Sequence, residues 1–188
     1  HRKTDGRSIF DCPEVQVYAA LLRSLIKPVG NDLDQVLSWA GMENEDAGKI
    51  RKLFGTSIII GSKGDFQNAR ISERGIDIWR TFAKRHSAWT SQMAQGHLAT
   101  VNYGVYEWLS ETLQKPHNPA VLEAAHQMYE VEESTLEAHL AKMRAREMSQ
   151  GLADKKGDEL SADMPVAVLT TAHGSKGLEY DYVWIVGL

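Results

Sequence analysis

Apolar side chains return at three- and four-residue steps over most of this chain, the spacing of helices that bury one face. Ile78, Trp79, Phe82, His86, Trp89 and Met93 form the longest stripe and predict a helix. Val101, Val105, Trp108, Leu109 and Leu113 make the next, which ends before Pro116. Val121, Leu122, Ala125, Met128 and Tyr129 give a third, and Leu136, Leu140, Met143 and Glu147 mark a fourth, longer one. Nearer the start, Asp11, Pro13 and Glu14 have the chemistry of a helix N-terminus: a capping carboxylate, a proline tolerated in the first turn, and an acid facing the dipole. That helix is predicted to run to about Lys27 and stop at Pro28-Val29-Gly30. A shorter one follows from Asn31-Asp32 through Trp39, with Leu33, Val36, Leu37 and Ala40 on one side, and Gly41 ends it.

The period changes in a few places. Residues 166–169 and 183–186 are apolar runs rich in β-branched side chains, as in strands buried on both faces of a parallel sheet. Residues 57–60, Ser-Ile-Ile-Ile, read as a further strand closed by the turn Gly61-Ser62-Lys63-Gly64. That turn is not a Walker A loop, which requires G-x-x-x-x-G-K-(S/T) opening a helix. Residues 151–164 carry acids, lysines and glycines with little apolar content, and are expected to be a flexible linker. The fold expected is α/β and mostly helical, a parallel-sheet unit interrupted by an all-helical insertion.

With 188 residues, 43% hydrophobic and 24% charged, the chain has an ordinary globular composition. No apolar run approaches the roughly 20 residues that span a bilayer, and His1-Arg2-Lys3-Thr4-Asp5 is not followed by the apolar stretch of a signal peptide. Residue 1 is not Met and Leu188 follows directly on a strand-like run, so a piece of a longer cytoplasmic protein is expected. The single cysteine, Cys12, excludes an internal disulfide and a multi-cysteine zinc site. A formal charge of -4 argues against strong autonomous binding to nucleic acid. The basic clusters Lys49-Arg51-Lys52 and Lys142-Arg144-Arg146 sit among acids and read as solvated helix faces. Trp79, Trp89 and Trp108 lie on helical stripes and read as core. His86, His97, His117, His126 and His139 lack metal-ligand spacing.

The densest chemistry lies at residues 171–180, Thr-Ala-His-Gly-Ser-Lys-Gly-Leu-Glu-Tyr, between the two strand-like runs. If a helix begins near Gly174-Ser175, its free N–H groups and dipole suit a phosphate. Gly174 and Gly177 permit close backbone approach, and Lys176 suits either a phosphate or a nearby acid.

This run resembles motif V of the superfamily-one helicases of the UvrD/Rep/PcrA type, roughly T-(L/I)-H-x-(S/A)-K-G-L-E-(F/Y) followed by an apolar strand and G-(L/M). Thr171, His173, Ser175, Lys176, Gly177, Leu178, Glu179 and Tyr180 match it, as do residues 183–188. The opening stretch, from Arg2 through Gly6, Phe10, Glu14 and Val15 to Leu22-Arg23, is similar to the family's Y-R-x-x-G-G-x-x-F-F-x-x-x-E-I with its later L-R. Asp5 and Ala172 are small departures. The resemblance implies a RecA-like domain 2A over residues 1–40, a helical 2B insertion over 41–163, and a return to 2A with motif V over 164–188. It implies that Thr171, His173, Gly174 and Ser175 contact single-stranded DNA, and that Lys176, Gly177 and Glu179 bind ATP, with Glu179 on the ribose hydroxyls. It implies ATP and Mg²⁺ as cofactors of the parent protein, and DNA and the 1A/1B domains as partners. A protein partner on the insertion is a further expectation. The P-loop and the Mg²⁺-binding acids are absent from the sequence, so no catalytic residue, metal ligand or bound cofactor is expected here. Residues 41–48 are acidic and lack the family's Gly-Ile-Gly duplex-contacting signature. Two other readings are a non-catalytic 2B-type regulatory module and a piece of a RecB/AddA-like helicase–nuclease.

Overall fold

A computed structural model describes residues 8–114, 116–129 and 135–159, with side chains through residue 149. A 3₁₀ turn, Ile9–Asp11, leads into eight α-helices among the described residues. These are α1 (Pro13–Ile26), α2 (Gly30–Trp39), α3 (Asn44–Phe54), α4 (Lys63–Asn68), α5 (Glu73–Ala94), α6 (Leu98–Glu111), α7 (Pro119–Met128) and α8 (Leu136–Glu159).

Local chemistry sets most of the boundaries. Ser72 caps α5 by accepting the Gly75 N–H at 3.0 Å. The Asn118 side chain accepts from Ala120 at 3.0 Å ahead of α7, with Pro119 at its first position. Gly41 and Gly55 end α2 and α3 with φ of 82° and 62°, values that favour glycine. The start of α1 differs from expectation. Asp11 lies in the 3₁₀ turn, and Cys12 takes the N-cap position with no side-chain bond. The neighbouring acid Glu14 is buried and accepts the Asn118 N–H at 2.7 Å, tying α1 to the head of α7.

Helix α1 is apolar on nearly every side, with Val15, Val17, Tyr18, Leu21, Leu22 and Leu25 buried, and such a helix belongs inside. It packs on α2, α5, α6, α7 and α8. One continuous core therefore holds side chains from both sides of residue 40. Its bulk is aromatic: Trp79, Phe82 and Trp108 are fully enclosed. The Trp39 Nε1–H donates to the Leu109 carbonyl at 3.1 Å, locking α2 to α6.

The expected α/β architecture, an incomplete RecA-like parallel sheet, is overturned for the described residues, which are all-helical and contain no strand. A sheet needs ladder partners, and residues 57–60, between α3 and α4, have none among the described residues. The runs 166–169 and 183–186 lie outside the described residues. The expected linker is corrected in part, because α8 continues as helix through residue 159.

His86, on α5, is a buried polar group in this core. Its Nε2 lies 3.1 Å from the Ser24 carbonyl, and the neutral ring donates its N–H there. Burial holds the imidazole below its ordinary value of 6.5, with the Ser24 bond opposing the shift. A folded-state value below the unfolded one means that the unfolded chain binds the proton first. Stability is then lost as pH falls through about 6.5 toward the lower folded value. Thermal melts between neutral and mildly acid pH should show this slope, and His86→Gln, which retains an N–H for Ser24, should flatten it. An unchanged slope in that variant would assign the acid sensitivity elsewhere.

Candidate functional site

Thr171, His173, Gly174, Ser175, Lys176, Gly177 and Glu179 lie outside the described residues. The described residues hold the helix that leads toward that stretch, and the polar groups around its base.

Helix α8 rests on α1 through Leu136, Leu140 and Met143, at i, i+4 and i+7. A cleft of about 260 Å³ opens beside it, edged by Gln16, Arg23, Gln35, Tyr129, Arg144 and Glu147. Arg23 grips Asp32 with both arms, Nε to Oδ2 at 3.0 Å and Nη2 to Oδ1 at 2.7 Å, and this bond raises its pKa. Burial pushes the Tyr129 phenol up, partly offset by the charge of Arg23. The positive charge of Arg23 is thus matched by Asp32, with Glu147 acting on it from farther off.

A second cleft, of about 580 Å³, lies beside Ile9, Phe10, Met128, Lys142, Met143 and Arg146. Lys142 and Arg146 edge this cleft, while Arg144 edges the other. Two residues turn a helix by about 200°, so the sequence cluster Lys142-Arg144-Arg146 is divided between opposite flanks of α8. It offers no single basic stripe to a phosphate backbone. Two members of the other cluster are tied to neighbouring groups: Lys49 bonds Glu45 and the Arg70 carbonyl, each at 2.8 Å, and Arg51 pairs with Asp34.

The remaining sequence candidates resolve into structural roles. In Gly61-Ser62-Lys63-Gly64, Ser62 caps the short α4: its hydroxyl accepts the Asp65 N–H at 3.2 Å, and the Asp65 carboxylate accepts the Ser62 N–H at 2.9 Å. The Ser62 hydroxyl bond holds the Asp65 carboxyl below its ordinary value. A carboxylate of the chain itself fills the place a phosphate would need. The acidic stretch 41–48 supplies Asp46, which is buried and accepts from both the N–H and the hydroxyl of Ser72 at the head of α5. Gly75 is required there, since a Cβ would fall 2.5 Å from Asp46 Oδ2. Trp79, Trp89 and Trp108 are core, as their helical spacing predicts. Cys12 is a half-buried free thiol. No group of His, Cys, Asp and Glu able to hold a metal ion occurs among the described residues, and none of their helices is long and apolar enough to cross a membrane.

One polar cluster escaped sequence reasoning. The Tyr18 hydroxyl lies 2.9 Å from the Asn102 carbonyl, from Asn102 Oδ1 and from His126 Nδ1, joining α1, α6 and α7. His126 stacks on Tyr106 at 4.5 Å, and Tyr18 on Tyr129 at 5.5 Å. The available signal was a tyrosine within an otherwise apolar helix and an asparagine within an apolar stripe.

No family model, curated protein or solved structure matches this chain.

Proposed function

We propose that this chain is part of an ATP-dependent DNA helicase of the UvrD/Rep/PcrA type, a motor that moves 3′ to 5′ on single-stranded DNA. The observation that carries the reading is the ordered run Thr171, His173, Ser175, Lys176, Gly177, Leu178, Glu179 and Tyr180 between two β-branched apolar stretches. The opening stretch with Gly6, Phe10 and Glu14 supports it from the other end of the sequence. In this reading the Glu179 carboxylate accepts hydrogen bonds from the ribose hydroxyls, the acceptor role open to an ionised acid. Lys176 and Gly177 complete the nucleotide side. Thr171, His173, Gly174 and Ser175 face the DNA backbone, so one turn touches both ligands and links hydrolysis to grip.

Phosphoryl transfer depends on a phosphate cradle, Mg²⁺ ligands and a charge-stabilising arginine. The sequence has no Walker A pattern, so those parts come from the rest of the motor and the chain alone is expected to hydrolyse no ATP, with or without DNA. In the intact protein, Glu179→Ala removes a charge-assisted hydrogen bond and should slow ATP-driven unwinding by about tenfold, mainly through a raised KM for ATP. His173→Ala should instead weaken stimulation of ATP hydrolysis by DNA. Strand-displacement and ATPase assays separate the two effects, and unwinding unchanged in both variants sinks the assignment.

A further inference from the structure

Two helices present polar groups to one space. On α8, Leu140, Met143, Arg144 and Glu147 follow at i, i+3, i+4 and i+7 and share a face. On α1, Gln16, Ala19 and Arg23 do the same. Between these faces lies the cleft of about 260 Å³, with Gln35 of α2 and Tyr129 at the end of α7 also on its walls. Val15, Ala19, Leu140 and Met143 are buried and give the cleft an apolar side.

Tyr129 is the group that packing does not explain. It is 5% exposed and its ring stacks on Tyr18, yet its hydroxyl has no hydrogen-bond partner among the described residues. Buried hydroxyls ordinarily find partners, because leaving one unmatched costs free energy. Burial raises this phenol's pKa, so it stays protonated and is a donor. The charges of Arg23, Glu147 and Arg144 also act on it, and all three line the cleft, so the hydroxyl faces that space. Arg23 is engaged by Asp32. Arg144 and Glu147, on the exposed rim, make no ion pair or side-chain hydrogen bond among the described residues. A cation, an anion and a donor hydroxyl thus stand uncommitted beside an apolar wall.

We infer that this cleft binds a free α-amino acid with an apolar side chain. The ligand's carboxylate accepts from the Arg144 guanidinium and the Tyr129 hydroxyl, its ammonium donates to the Glu147 carboxylate, and its hydrocarbon end lies against Leu140 and Met143. Charge-assisted bonds of this kind are the strong ones. A zwitterion satisfies both unpaired charges at once, whereas a simple anion is repelled by Glu147. The cleft falls just below the roughly 300–1,000 Å³ of sites for drug-sized molecules, which suits a smaller ligand. The inference does not depend on residues 171–180 binding nucleotide.

L-Leucine titrated into the 188-residue chain, followed by calorimetry and by amide NMR shifts, should bind with a dissociation constant of roughly 1 mM or below. Two fragments of the probe separate its charges. 4-Methylpentanoate keeps the carboxylate and 3-methylbutylamine keeps the ammonium, and each should bind at least about tenfold more weakly than leucine. Tyr129→Phe keeps the ring and removes the donor, and should weaken leucine about tenfold, as should Arg144→Gln. Glu147→Gln should weaken leucine to a similar degree without weakening 4-methylpentanoate, a split that damage to the fold would not produce. Arg146→Gln removes the same charge from the other flank of α8 and should change affinity by less than about twofold. Thermal melts matching the parent show that each variant stays folded. No binding of leucine up to about 20 mM overturns the inference. So does leucine binding indifferent to Tyr129→Phe and Arg144→Gln, and so does 4-methylpentanoate binding as tightly as leucine.

Discussion

Replacing Trp108 by alanine should destabilise the protein by about 3–5 kcal/mol, the range for a large aromatic deleted from a packed core. The indole is 2% exposed, with Phe82 at 5.6 Å and Trp89 edge-on at 6.2 Å. Those neighbours are rigid rings on another helix, so the vacated space closes poorly and the cavity penalty adds to the lost transfer energy. Domains of ordinary stability hold only about 5–15 kcal/mol in total. At about 2–4 °C per kcal/mol for a chain this long, the melting temperature should fall by roughly 10 °C. Tyr103→Ala, which truncates a side chain 58% exposed on the same helix, is the matched control and should shift stability by less than about 0.5 kcal/mol. Circular dichroism melts decide the matter, and equal shifts for the two variants would mean that Trp108 is not enclosed as described.

Tyr18→Phe should cost about 1–3 kcal/mol with the ring packing left intact. Burial, with a smaller contribution from Tyr106, raises the phenol pKa well above its ordinary value, so the hydroxyl stays protonated and remains a donor. Phenylalanine retains the stack on Tyr129 but withdraws the group shared by Asn102 and His126. Asn102 is 2% exposed, so water cannot easily replace the lost partner. The penalty arises from stranding an acceptor, and deleting that acceptor too should lessen it: Tyr18→Phe with Asn102→Leu should be milder than the sum of the single variants. Strict additivity in a double-mutant cycle would disprove the shared hydrogen bond.

Much of the helical body was legible because its signals are local. The stripe from Ile78 to Met93 falls inside α5, and Gly41 punctuates the chain where α2 ends. Signals that depend on distant residues were not legible. Glu14 reads as a first-turn acid, yet its carboxylate also serves a backbone N–H 104 residues away. The Tyr18 cluster joins positions separated by 84 and 108 residues, and no periodicity encodes that. Helix α3 was missed as a distinct element because it buries only Asp46, Ala47 and Ile50, too few apolar positions to make a stripe. The strand-like run at 57–60 was a sound reading of propensity that went wrong at the next level, since β-structure requires a second strand and the described residues supply none. The candidate ligand-binding turn at 171–180 rests on its sequence motif, because it lies outside the described residues.

Helix α8 also carries a mechanical consequence. Among its described side chains Met143 is the last buried one, and Met148 is 70% exposed. At about 1.5 Å per residue, the axis advances roughly 24 Å between Met143 and Glu159. A rocking of only about 10° at the Leu136–Met143 seat would sweep the far end through roughly 4 Å, by the same helical rise. Slight repacking against α1 is thereby magnified at the point where α8 hands the chain on toward residues 171–180.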